Sequence, residues 1–152
     1  VLLLPADIEI LADAAGKPFV NPEPLAALGV ATPAPAITLT HSGGAALAAA
    51  APAGRVIGID MEVEAGVNAE ALANGAFGEG ERAMLGAGGL LFGWCAKEAA
   101  AKAHGQGLNG RPQSFVLSAF GGEEASVDVP GGGPVAVKLA REGGRVMALA
   151  LG

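Results

Sequence analysis

Val56-Ile57-Gly58-Ile59-Asp60-Met61-Glu62-Val63 reads as a strand whose side chains change character every second residue. Asp60 and Glu62 then project from one face, while Ile57, Ile59, Met61 and Val63 project from the other and pack. Gly58 lacks a side chain, so a ligand can approach the backbone beside the two carboxylates. Carboxylate oxygens completed by water and a substrate phosphate are what magnesium favours. Considered alone, such an acidic pair is more often the solvated face of an edge strand than a site.

Downstream, Glu79 to Leu85 and Leu91 to Ala103 read as helices. On the second, Trp94, Glu98 and Lys102 recur at intervals of four and share a face, with Lys97 near its edge. A Glu and a Lys at that spacing also suit an exposed ion pair, but the large aromatic on the same stripe argues for partial burial. His104, near the helix end, suits a partner of the helix dipole. From Ser114 onward, Phe115 to Leu117, Ala125 to Val129, Val135 to Leu139 and Val146 to Leu151 read as strands. Glu142-Gly143-Gly144 is a hairpin signal between the last two.

Upstream, Asp7 to Val20 reads as two extended pieces around the turn Asp13-Ala14-Ala15-Gly16, and Asn21 to Pro35 as a loop with one short helix near Leu25 to Leu28. Ile37 to Thr40 suits a strand ending at His41, where Ser42-Gly43-Gly44 offers backbone amides to an anion. A lone His in a loop such as His41 is more often an ordinary polar residue than a ligand. The alanine run after Gly44 is ambiguous, since propensity favours helix and position permits a strand. Cys95 with His41 could form a nucleophile and base, although a Cys on an alanine-rich helix more often packs.

At 152 residues the chain is sized for one domain. A net charge of −6 argues against a nucleic-acid or anionic-membrane partner, both of which need clustered Lys and Arg to neutralise phosphates. Most bases nonetheless follow Glu81, so a locally basic site remains open. The longest apolar run, Ala45 to Ala53, is interrupted by Pro52 and too short for a bilayer span. The chain starts at Val1 with no signal-like segment and reads as a processed or excised piece. The single cysteine fits a reducing compartment, and cytoplasm is the expected location.

Four separated segments, in order and at matching spacing, resemble the 4'-phosphopantetheinyl transferase superfamily. They are Gly58-Ile59-Asp60-Met61-Glu62 (Gly-Ile-Asp-x-Glu), Phe77 to Glu81 (Phe-x-x-x-Glu), Trp94 to Lys102 (Trp-x-x-Lys-Glu-x-x-x-Lys) and Gly105-Gln106-Gly107-Leu108 (Gly-x-Gly-Leu). The likeness runs from Asp7 to Phe115. Gly16-Lys17-Pro18 and Thr40-His41-Ser42 resemble the larger, surfactin-synthetase-activating type. Against that type the front is abbreviated, as in a domain cut from a polyketide or polyunsaturated-fatty-acid synthase. Cys95 stands where the family usually carries Ser or Thr.

The resemblance implies an α+β fold of small antiparallel sheets with packed helices in two pseudo-related halves. Residues 1–152 would form one domain, with a shortened first half to about residue 55 and the metal site in 56–152. It implies magnesium-dependent transfer of 4'-phosphopantetheine from coenzyme A to a serine of an acyl or peptidyl carrier protein, the holo-acyl-carrier-protein synthase reaction, releasing adenosine 3',5'-bisphosphate. Asp60, Glu62 and Glu98 would surround the magnesium. Lys97 and Lys102 would face the coenzyme A phosphates, and Lys17 and His41 would hold the 3'-phosphate. Glu98 would act as general base, with Asp60 and Lys102 beside it, and Glu81 matches an acidic position near the metal. Two rival functions are a non-catalytic carrier-binding module of the same fold and a generic divalent-metal or phosphate-binding domain.

Overall fold

In a computed structural model describing residues 2–31 and 33–152, the acidic segment forms the edge strand of the larger sheet. The chain order is β1 (Ile10–Ala12), β2 (Pro18–Val20), α1 (Pro22–Ala27), β3 (Ala36–Ser42), β4 (Ala45–Ala51), β5 (Ile57–Val63), α2 (Ala69–Ala76), α3 (Glu79–His104), β6 (Val116–Phe120), β7 (Glu124–Asp128), β8 (Pro134–Glu142) and β9 (Arg145–Leu151). Strands β5-β9-β8-β7-β6 form one antiparallel sheet, while β1-β2 and β3-β4 are separate antiparallel hairpins. The class is α+β, as the family resemblance implies. The loop expected over Asn21 to Pro35 contains α1, and its Thr32 lies outside the described residues.

Local chemistry explains the turns. Asp13 Oδ1 accepts from the amides of Ala15 at 2.8 Å and Lys17 at 2.9 Å, closing the β1–β2 turn and fixing where Lys17 leaves it. Gly43 and Gly44, at φ of 56° and 76°, form the two-residue turn between β3 and β4, which needs left-handed backbone at both positions. The alanine run takes the strand alternative. β4 pairs with β3 residue for residue, from Ser42 with Ala45 to Ala36 with Ala51, so tertiary pairing overrides alanine's helical preference.

The two helices expected over Glu79 to Leu85 and Leu91 to Ala103 run together as α3, with one break at Gly86 (φ 57°, ψ −176°). The second part of α3 lies across the sheet. Facing it in register are Gly58, Asp60 and Glu62 of β5 and Ala150, Ala148 and Val146 of β9. Ala99, Ala100, Ala101 and Ala103 are buried in that contact, and Leu117, Val127 and Val137 extend the same core across the sheet. A smaller cluster of Val20, Leu25 and Ile37 holds the front together.

Gly58 has a different role from the one its sequence context suggests. A Cβ there would stand 2.0 Å from the Ala99 carbonyl oxygen and 2.5 Å from the Ala103 nitrogen, both backbone atoms. What approaches Gly58 is therefore the helix and not a ligand. The missing side chain lets α3 sit low enough to carry Glu98 and Lys102 over Asp60.

The segments before and after residue 56 are unequal. Among the described residues, only the rear lays a long helix on a sheet, and the front's one α-helix has six residues. Among the described residues no helix is long and apolar enough to cross a membrane.

Candidate active site

β3 and β5 meet through side chains rather than through a backbone ladder. Thr38, Thr40 and Ser42 alternate along one face of β3. Thr38 Oγ1 accepts from the Ile59 amide at 3.2 Å, Thr40 Oγ1 donates to Asp60 Oδ1 at 3.2 Å, and Ser42 Oγ donates to Glu62 Oε2 at 2.9 Å. Two hydroxyls thus hold the two acidic side chains from outside the sheet, and the third holds the backbone beside them. Sequence reasoning missed this role, although the alternation of Thr38, Thr40 and Ser42 was the available signal.

From the other side comes α3. Lys102 Nζ lies 2.8 Å from Asp60 Oδ1 and 3.0 Å from the Ile59 carbonyl oxygen, with its side chain 28 % exposed. Asp60 is only 4 % exposed. Its Oδ1 is bonded twice, whereas Oδ2 is buried with no hydrogen-bond partner among the described residues. An unpaired carboxylate oxygen at such depth is costly unless something positive completes it.

Glu98, one turn before Lys102, lines the adjoining cleft. Burial raises its pKa above the ordinary glutamate value, the Asp60 charge raises it further, Lys102 opposes, and Glu62 adds to the rise. The cleft, about 200 Å³, lies between the β1–β2 turn, β3 and the C-terminal end of α3. Gly16, Lys17, Thr38, Glu98, Lys102 and Gly105 are among its lining residues. Lys17 and Lys102 therefore bring two basic side chains from distant parts of the sequence to one cavity.

Three sequence expectations find different surroundings. His41 is exposed and, one residue past Thr40, lies on the opposite face of β3, outside the residues lining the cleft. Lys97 is fully buried away from it. Its Nζ lies 2.8 Å from Glu81 Oε1, donates to the carbonyls of Ala76 at 2.6 Å and Pro112 at 3.2 Å, and stands 4.7 Å from the centre of the Phe77 ring. All its donors are engaged, so it does not face a phosphate in this cleft. Glu81 is spent on the same cluster, accepting from the amides of Gly78 and Leu117 at 2.7 Å each, and does not stand beside Asp60.

Cys95 is buried beneath the carboxylates, donating weakly to the Val146 carbonyl at 3.7 Å. Burial first, then the charges of Asp60 and Glu62, push its thiol far above the ordinary range. A thiolate nucleophile is thereby disfavoured, in keeping with the packing role.

A divalent cation fits this donor set on two observations. Asp60 Oδ2 is buried without a hydrogen-bond partner among the described residues, and burial, then the Asp60 and Glu62 charges, raise the pKa of Glu98 against the opposing charge of Lys102. The expected convergence of all three acids is not preformed, however. Among the described residues no three His, Cys, Asp or Glu side chains stand together as a ligand set. Lys102 draws Asp60 and Ser42 draws Glu62, each occupying an oxygen.

The raised Glu98 pKa fixes the sign of a stability effect. Between the ordinary glutamate pKa and the raised folded value, the folded chain binds more proton at Glu98 than the unfolded chain does, so the stability tied to this group is complete below the ordinary glutamate pKa. It is lost as pH rises through the folded value. In metal-free buffer near pH 7.5, Glu98→Gln should raise the melting temperature by about 2–4 °C. The gain should vanish near pH 4, and thermal melts at both pH values check this.

The arrangement defines an α+β protein with a charged cleft where a long helix meets the edge of an antiparallel sheet. The chain belongs to the 4'-phosphopantetheinyl transferase superfamily, whose sequence model matches residues 56–147, more than half of its length. No curated protein sequence matches it.

Proposed function

We propose that this chain transfers the 4'-phosphopantetheine arm of coenzyme A to a serine of an acyl or peptidyl carrier protein. The observation carrying this reading is the cleft in which Lys17, Lys102 and Glu98 meet beside the buried, half-satisfied Asp60. Coenzyme A bears a diphosphate and a separate ribose phosphate, so its binding calls for cations at two places. Lys102 suits the diphosphate, and Lys17, a point charge whose ammonium lies beside Gly105 on the cleft wall, suits the 3'-phosphate. His41 stands outside the cleft and is given no part.

Asp60 and Glu98 would hold a magnesium ion, with Glu62 adding negative charge behind them. The ion supplies neutralisation of the diphosphate. Glu98, its proton affinity raised by burial and by its acidic neighbours, is suited to accept the serine proton. The serine oxygen forms its bond to the phosphorus nearer pantetheine, the bond from that phosphorus to the bridging oxygen breaks, and adenosine 3',5'-bisphosphate leaves. Lys102 remains paired with Asp60 while lying close enough to the cleft to balance the leaving group.

Residues 1–152 act in this reading as one domain, with the front supplying Lys17 and the hydroxyls of β3. Incubation with an apo carrier protein, coenzyme A and magnesium, followed by intact-mass measurement of the carrier, tests the reading. A gain equal to one phosphopantetheinyl group is expected. An unmodified carrier under conditions where a known transferase modifies it would overturn the assignment.

A further inference from the structure

Lys97 sits beside Glu98 in the chain but belongs to a different environment. Its side chain is wholly buried in a core otherwise made of Ala, Leu, Val and Phe, where a charged pair is seldom the most stabilising choice. The cluster instead has unusual reach. Glu81 lies in α3 before the break at Gly86 and Lys97 lies after it, so their 2.8 Å contact spans the kink. Glu81 also binds the amide of Gly78, where α3 begins, and that of Leu117 in β6. Lys97 binds the last turn of α2 through the Ala76 carbonyl. Its remaining bond goes to the carbonyl of Pro112.

That last contact points toward the cleft. The segment from Gly105 to Pro112 leaves the C-terminus of α3, and its near end supplies Gly105 and Gly107 to the cleft wall. Gly105, Gly107 and Gly110 all have left-handed backbone, and between them Leu108 is buried in the core and Asn109 Nδ2 donates to the Gln106 carbonyl at 2.7 Å, so the segment is pinned in its middle but carries no side chain at its glycine positions. Its far end is held by Lys97. The same bonds restrain rotation of α3 about its axis, and one residue further on that rotation sets the direction of Glu98.

We infer that Lys97 is a positioning residue which, clasped to Glu81 across the Gly86 break, holds the Gly105–Pro112 segment and the rotation of α3 so that Glu98 and the glycine wall face the cleft. The inference rests on the proposed transfer for its kinetic consequence, but its structural half does not. It replaces the phosphate contact that the sequence suggested for Lys97, and it gives Glu81 a defined partner.

Lys97→Met alone leaves Glu81 charged and buried and is apt to unfold the chain, so the informative variant is the double change Glu81→Met with Lys97→Met, which removes both charges together. Hydrogen exchange of the Gly105–Ser114 amides should become about 10-fold faster in that variant while β8 and β9 keep their protection. In the transfer assay kcat should fall about 10-fold or more, with the calorimetric dissociation constant for coenzyme A within about 3-fold of wild type. Lys97→Arg with Glu81 intact should recover part of kcat.

Unchanged exchange in the Gly105–Ser114 segment would overturn the clasp. So would a large weakening of coenzyme A binding with exchange unaltered, which is the signature of a phosphate ligand. Faster exchange with unchanged kcat would overturn the positioning of the site. A wild-type chain that transfers nothing, alongside a double variant with a loosened segment, would remove the transfer reading and retain the clasp.

Discussion

Asp60→Ala is expected to lower phosphopantetheine transfer by about 10³-fold or more while the chain stays folded. The activity loss follows from charge. Asp60 provides the buried oxygen that lacks a partner, and its negative charge helps to raise the pKa of Glu98. Without it, a cation shared with Glu98 loses one of its two principal ligands, and Glu98 becomes a weaker proton acceptor.

The fold should survive for the opposite reason. Removing a carboxylate with one unsatisfied buried oxygen relieves a desolvation cost, and Lys102 keeps its bond to the Ile59 carbonyl and remains 28 % exposed to water. The melting temperature should stay within about 4 °C of wild type. Asp60→Asn retains the shape and an acceptor for Lys102 and should lose transfer to a similar degree, separating charge from packing. Circular dichroism melts run beside the mass assay read both quantities, and near-normal turnover by either variant would contradict the metal assignment.

Gly58→Ala is the second large expectation, and here stability is the quantity lost. The added Cβ would meet backbone atoms of α3 at 2.0 and 2.5 Å, which no rotamer change can relieve. The helix must rise from the sheet, opening the contact that buries Ala99 and Ala103 and separating Glu98 and Lys102 from Asp60. A cost of about 3 kcal/mol or more is expected, a large share of a typical domain's stability. Gly66→Ala, at a turn whose Cβ would meet nothing within 4 Å, provides the comparison and should cost much less despite its φ of 82°. Denaturant melts distinguish them, and equal midpoints would contradict the close approach of helix and strand.

The parts of this molecule that were legible in the sequence are those where local pattern and tertiary environment agree. The alternation from Ile57 to Val63 became β5, and the Trp94-to-Lys102 periodicity brought Glu98 to the cleft and Lys102 onto Asp60. The hairpin signal at Glu142-Gly143-Gly144 became the turn between β8 and β9. What stayed hidden depended on partners distant in the chain. Nothing local indicates that the β4 alanines pair with β3, since alanine alone favours helix. Nor does the pair Lys97-Glu98 indicate that its two charges separate, one into the core and one into the cleft. A 100° step per residue divides them, and only the Gly78-to-Glu81 turn and the Pro112 carbonyl decide which face is which. Gly58 shows the same limit, because a glycine beside carboxylates looks the same whether a ligand or a helix backbone approaches it.

Co-crystallisation with coenzyme A and manganese in place of magnesium, with an anomalous map at the manganese edge, tests the site most directly. The predicted result is one cation peak bonded to Asp60 and Glu98 and to the diphosphate, with Lys102 beside the diphosphate and Lys17 near the 3'-phosphate. A coenzyme A diphosphate bound elsewhere, or a cation peak away from both Asp60 and Glu98, would contradict it.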